Sequence, residues 1–144
     1  TWRYHKAYAH HGVYVGDGKV IHFTTGVIFS SSDLRPASHD HSEYYQCPRC
    51  DDDGPRNNGG VKSSCLECFL SGGKLYRFRY GVSKRLFYAQ FRGTSTLVHS
   101  DSPEVVLHRS KTLLDNGFRN YNLFRNNCEN FAIYCKTGYI GTAS

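Results

Sequence analysis

Four of the six cysteines stand in two close pairs, Cys47-x2-Cys50 and Cys65-x2-Cys68, with fourteen residues between them. They lie in a polar stretch, residues 30–73, that includes Ser30-Ser31-Ser32-Asp33, Asp51-Asp52-Asp53-Gly54-Pro55 and Asn57-Asn58-Gly59-Gly60. So long a polar segment has too few apolar side chains to order itself, and something other than a hydrophobic core must hold it. Repeated CxxC pairs at this distance read as two knuckles that bring four thiolates to one ion, with each sulfur about 2.3 Å from zinc. The expected ligands are therefore Cys47, Cys50, Cys65 and Cys68, leaving His39 and His41 unnecessary. A closed four-thiolate site has no open coordination position, so its zinc is structural. Thiols kept for a metal rather than for disulfides imply a reducing, intracellular compartment, cytoplasmic by default.

The rest of the chain has the content of one domain, residues 1–144, with 30–73 as its metal-binding insert. Hydrophobic residues make up 39% and aromatics 15%, so the core must lean on Tyr and Phe. Val13 and Val15 on one side of Gly16-Asp17-Gly18 and Val20 on the other predict a hairpin over residues 11–23. Residues 74–80 alternate as a strand does; 85–91 and 96–99 do so more weakly. Ser102-Pro103-Glu104 opens a helix with apolar positions at 105, 106, 113 and 114, which stops at Asn116-Gly117. A last helix is expected from about Asn127 to Lys136, ending at Gly138, with Phe131, Ala132 and Cys135 on one face.

The net charge of +6 is spread along the chain and densest between residues 74 and 92. It reads as a solvated surface, with those basic and aromatic residues able at most to support peripheral membrane contact. The insert lacks interleaved aromatics and a basic stripe, so no nucleic-acid partner is expected. No apolar run reaches the roughly 20 residues of a spanning helix.

Cys128 falls in the first turn of the last helix, where Asn126 or Asn127 can cap. A helix N-terminus lowers a thiol pKa through its partial positive charge and free N–H groups, and the same amides can line an oxyanion hole. A thiol nucleophile also needs a base, and His10, His11 and His22 flank the predicted hairpin. Strand parity decides which of them meet. A two-residue Asp17-Gly18 turn sets Val13 opposite His22 and puts His11 on its face; a three-residue turn brings His10 there instead. Either choice yields two imidazoles on one face, one as general base and the other as its partner.

These segments resemble the lecithin:retinol acyltransferase family, relatives of the NlpC-type thiol peptidases. In that family an aromatic and a Val/Ile-Tyr-Val-Gly-type strand follow a first histidine, a second histidine lies twelve residues on, and Asn-Cys-Glu-x-Phe comes downstream. Here His10 and His22 have that spacing, Tyr14-Val15-Gly16-Asp17 fits the middle, and Asn127-Cys128-Glu129-Asn130-Phe131 fits the end. The resemblance implies a circularly permuted, papain-like α+β fold, an antiparallel sheet packed on helices, with Cys128 as nucleophile, His10 as base and His22 as its partner. It implies the odd-length turn as well. It further implies acyl transfer or hydrolysis through an acyl-cysteine, from a lipid ester or thioester donor to a small alcohol, amine or water, without an organic cofactor. His11 stands where an aromatic is usual, and Asn130 where animal members commonly have His. The four-cysteine insert resembles that of plant members described as NC-domain proteins. Two other functions suit these residues: a peptidase or amidase, and an inactive interaction module that binds a partner through its zinc insert.

Overall fold

The computed structural model describes residues 2–4, 8–25, 47–50, 60–90, 94–119 and 127–140. Among them the fold is α+β, with two three-stranded antiparallel sheets and four helices. One sheet orders β2 (Tyr8–His10), β1 (Trp2–Tyr4) and β6 (Lys74–Leu75); the other orders β3 (Gly12–Gly16), β4 (Lys19–Thr24) and β5 (Gly60–Cys65). The chain steps from the first sheet to the second at His11.

The β3–β4 hairpin resolves the parity question by a route the sequence did not disclose. Its turn is Asp17-Gly18, with φ of 50° and 70°, the left-handed pair that suits a two-residue hairpin. That turn alone would set Val13 opposite His22. Instead Gly16 pairs with Lys19 and Tyr14 with Val20, so Val15 is an extra residue on β3. The bulge shifts the phase, Gly12 faces His22, and His10, two residues before Gly12, falls on the side of His22. The expected three-residue turn is thus replaced by a two-residue turn plus a bulge.

Strand β4 is the middle strand, paired along both edges, and both its faces are covered as well. Ile21 and Phe23 face a core with Val13, Val106, Phe131, Ala132 and Cys135. The opposite face carries Val20 and His22 and meets Phe69 of α1 (Leu66–Leu70). Strand β5, from the polar stretch, pairs with β4 at six consecutive positions from Lys19↔Cys65 to Thr24↔Gly60. The C-terminal part of that stretch is therefore woven into the sheet.

Helix α3 (Pro103–Asn116) starts and ends where the sequence places it, with Pro103 in the first turn and Gly117 at φ 80° donating its N–H to the Leu113 carbonyl. Val106 is buried, Leu113 and Leu114 pack on the core, and Val105 faces solvent. Helix α4 (Cys128–Thr137) is buried on nearly every side. Its cap is Asn127, whose Oδ1 accepts from the N–H groups of Glu129 (3.0 Å) and Asn130 (3.1 Å). Asn130 Oδ1 accepts in return from the Asn127 N–H at 3.0 Å, closing a reciprocal capping box. At the other end Arg109 donates to the carbonyls of Tyr134 (3.1 Å) and Cys135 (2.7 Å) while pairing with Asp101 at 2.9 Å. This supplies a cation where the helix dipole is negative.

The expected strands after residue 73 are mostly absent. Residues 74–80 contribute the two-residue β6, then run beside 94–98 through irregular bonds such as Arg79 N–H to Thr94 O and Gly81 N–H to Val98 O. Within 85–91, residues 85–89 belong to helix α2 (Lys84–Ala89), capped by the Ser83 hydroxyl. Leu86, Phe87 and Tyr88 are consecutive apolar residues rather than an alternation, and Lys, Arg, Leu and Ala favour helix once a cap is present. No helix among the described residues is long and apolar enough to cross a membrane.

Candidate active site and metal centre

Cys128 is the first residue of α4 and is buried. Its sulfur receives hydrogen bonds from the backbone N–H of His11 and from the amides of Cys128 and Glu129. These favour the thiolate, but burial outweighs them and pushes the thiol above its ordinary pKa. The depressed thiol expected from a helix N-terminus is therefore not found. Desolvation of a nearly enclosed sulfur exceeds what the helix end supplies.

His10 and His11 are both buried, so neither is the solvated histidine that loop sequences usually hold. His10 ends β2 and His22 lies in β4, and Nε2 of His10 is 2.9 Å from Nδ1 of His22, the rings nearly perpendicular at 89°. The other nitrogen of His22, Nε2, is 2.9 Å from the Ser64 hydroxyl of β5. Phe69 packs on both imidazoles, its ring centroid 5.4 Å from each. Burial lowers the pKa of His10 to about 4 and that of His22 to about 3, with repulsion from His10 adding to the latter. Both are neutral at pH 7.

The hydrogen-bonded chain thus runs Ser64–His22–His10, and His11, the next residue, binds the Cys128 sulfur through its backbone. Sequence reasoning named the two histidines and the cysteine. It missed Ser64 and Phe69, which sit immediately beside Cys65 and Cys68 and reach His22 only through the β4–β5 register.

Next to His11 and Glu129 opens a cleft of about 1520 Å³ between β3, α4 and the segment 75–82. Val13, Val15, Phe78 and Ile133 give it apolar walls, and Arg77, Arg79 and Lys136 give it positive charge. Cys128 borders the cleft through Glu129 rather than lining it.

All six cysteines are free thiols, and the four paired ones converge. The Sγ atoms of Cys47, Cys50, Cys65 and Cys68 all lie within 4.8 Å of one another, and Cys47 and Cys65 are 3.8 Å apart. A tetrahedron with zinc–sulfur bonds of about 2.3 Å has edges of about 3.8 Å, so the set fits such an ion with small adjustments. Backbone amides support the sulfurs: Cys65 N–H points to Cys50 Sγ at 3.3 Å and Cys68 N–H to Cys65 Sγ at 3.4 Å. An amide at Arg49 draws the Cys47 thiol down to about 6, whereas burial raises the thiols of Cys50 and Cys68, so a bound cation would have to offset that cost. His39 and His41 lie outside the described residues. The corner is moored to the hairpin by Leu66 N–H to Gly18 O (2.7 Å) and Lys19 Nζ to Arg49 O (2.6 Å).

The family model described as lecithin retinol acyltransferase matches residues 2–141. Protein LEAD-SENSITIVE 1 of Arabidopsis thaliana is 48% identical over 149 residues, covering 97% of this chain and 56% of that relative. The chain thus spans little more than half the length of the curated relative it matches. No solved structure matches it.

Proposed function

The chain belongs to the lecithin retinol acyltransferase family, and from that premise we propose a thiol-dependent acyltransferase or acyl hydrolase with Cys128 as nucleophile. The observation that supports this reading is that the chain Ser64–His22–His10 ends one residue before His11, whose backbone amide serves the sulfur of Cys128. In fold terms we read the hairpin and the cysteine-bearing helix as a permuted papain-like core.

The chemistry follows from neutral partners. If His10 Nε2 donates to His22 Nδ1, then His22 Nε2 donates to Ser64, and His10 Nδ1 is left with its lone pair. His10 then takes the thiol proton as sulfur attacks the carbonyl carbon of an ester or thioester. The carbonyl π pair moves onto oxygen, which we place toward the Cys128 amide in the first turn of α4. Collapse breaks the bond to the leaving group, and His10 returns the proton to it. An alcohol, amine or water then gives its proton to His10 while attacking the thioester, and Cys128 leaves and is reprotonated. Because the thiol pKa is raised, attack and proton transfer are coupled rather than preceded by a stable ion pair.

The donor we propose is a lipid ester or acyl thioester, with its tail in the apolar cleft beside Glu129. The metal centre, loaded with zinc, would order the β5–α1 corner and take no part in bond making. Neither the peptidase reading nor the inactive-module reading has an observation of its own in its favour.

The test is intact-protein mass spectrometry after incubation with a phospholipid and, separately, an acyl-CoA, alongside product assays. An acyl adduct or product that Cys128→Ala abolishes supports the reading, and the effective donor names the substrate class. Turnover that persists in Cys128→Ala would sink it, as would the absence of both adduct and product from either donor.

A further inference from the structure

We infer that the four-cysteine centre is a positioning device for the histidine pair, acting through Ser64 and Phe69. The functional side of this inference rests on the acyltransfer reading above. Ser64 immediately precedes Cys65, and Phe69 immediately follows Cys68. One bonds His22 Nε2 at 2.9 Å, and the other packs on both imidazoles. Both of these contacts on the pair come from residues adjoining cysteines of the centre.

The corner that carries them has little stability of its own. Strand β5 reads Gly-Val-Lys-Ser-Ser-Cys, poor in the β-branched and aromatic residues that favour strands. Helix α1 has five residues, far below the length at which a helix persists alone. Cys65 closes β5, caps α1 through its sulfur and belongs to the four-sulfur cluster, so strand, helix and candidate metal site share one residue. A bound ion thus fixes the corner's angle, and with it the height of Phe69 and the reach of Ser64. The fit beneath is close: a Cβ on Gly12 would lie 2.6 Å from Val20 and 2.8 Å from Phe69. Phe69 has no room to sink and can only lift away.

Ser64 touches His22 and not the thiol, so it is a positioning residue. When its hydroxyl accepts from His22 Nε2–H, His22 is held in the tautomer whose Nδ1 accepts from His10. Losing that selection lets a fraction of His10 carry its proton on Nδ1, where it cannot act as base.

The test uses the full chain loaded with zinc, compared with Ser64→Ala, Ser64→Thr and Cys50→Ser. Imidazole ¹⁵N NMR reads the tautomers, zinc content is measured directly, and kcat and KM are taken with whichever donor is turned over. Ser64→Ala should keep its zinc, show a mixed His22 tautomer and lose about tenfold in kcat with KM unchanged, the worth of one neutral hydrogen bond. Ser64→Thr should restore both. Cys50→Ser should lose zinc and show the same imidazole change although it touches neither histidine. Should Cys50→Ser fail to fold, Phe69→Ala with zinc retained takes its place and should also shift the imidazole signals. Wild-type tautomers in Ser64→Ala, or in zinc-free Cys50→Ser, would overturn the coupling. An altered tautomer with no acyl product from any donor would leave the coupling standing and reject the acyltransfer reading instead.

Discussion

Burying two neutral imidazoles side by side should make this fold sensitive to mild acid. His10 and His22 have pKa values of about 4 and 3 in the folded chain, against 6.5 when unfolded. The sign follows from proton counts. Above pH 6.5 neither state binds protons at these sites, so the pair costs nothing. Below it the unfolded chain gains protons that the folded chain refuses, and stability falls until pH passes the folded values. Each unit below 6.5 therefore removes about 1.4 kcal/mol per histidine. At pH 5 the loss is about 2 kcal/mol for each ring and about 4 kcal/mol for the pair. With a urea slope of about 2 kcal/mol/M, the midpoint should drop by about 2 M between pH 7.5 and pH 5. Other groups titrate over the same range, including the Cys47 thiol, so the comparison is with His10→Asn/His22→Gln, which retains them. The variant should lack about 4 kcal/mol of the wild type's pH dependence. Parallel stability curves for the two proteins would refute the reasoning, because they would mean that the imidazoles titrate alike in folded and unfolded chains.

Three further outcomes are expected. Because burial raises the Cys128 thiol pKa, alkylation mapped to Cys128 should be slow at neutral pH and climb steadily as pH rises into the alkaline range; a flat, fast rate from pH 4 to 8 would instead reveal a preformed thiolate–imidazolium pair. Asn127→Ala removes both cap bonds of α4 and should cost about 1–2 kcal/mol in urea unfolding, while an unchanged midpoint would mean that the box contributes nothing. Gly12→Ala forces a methyl group against Val20 and Phe69 and should cost about 1–3 kcal/mol, and a broadened Phe69 ring signal should accompany it; full stability would show that the close fit relaxes freely.

The features legible in the sequence are those whose causes are local. Ser102-Pro103 and Gly117 bound α3, and Asn127 and Gly138 bound α4, because caps and φ preferences act within a few residues. The convergence of four sulfurs was legible for a similar reason, since each CxxC is a self-contained turn. What escaped depends on partners distant in the chain. Ser64 meets His22 across 42 residues, and only the β4–β5 register reveals it. Asn130 reads in sequence as a departure from a histidine common in relatives, whereas in the fold it closes the α4 capping box. The thiol's environment was misjudged because the helix end is visible in sequence and the depth of burial is not.

The bulge at Val15 makes the hairpin a device that counts residues modulo two. Adding or deleting one residue between Gly12 and Asp17 would exchange His10 for His11 on the side of His22, although no side chain of the site had been altered. Changes of two residues would restore the original face. Length variation in this arm should therefore be tolerated in even steps and rejected in odd ones. An alignment that merely counts histidines would overlook the difference between a working site and a silent one.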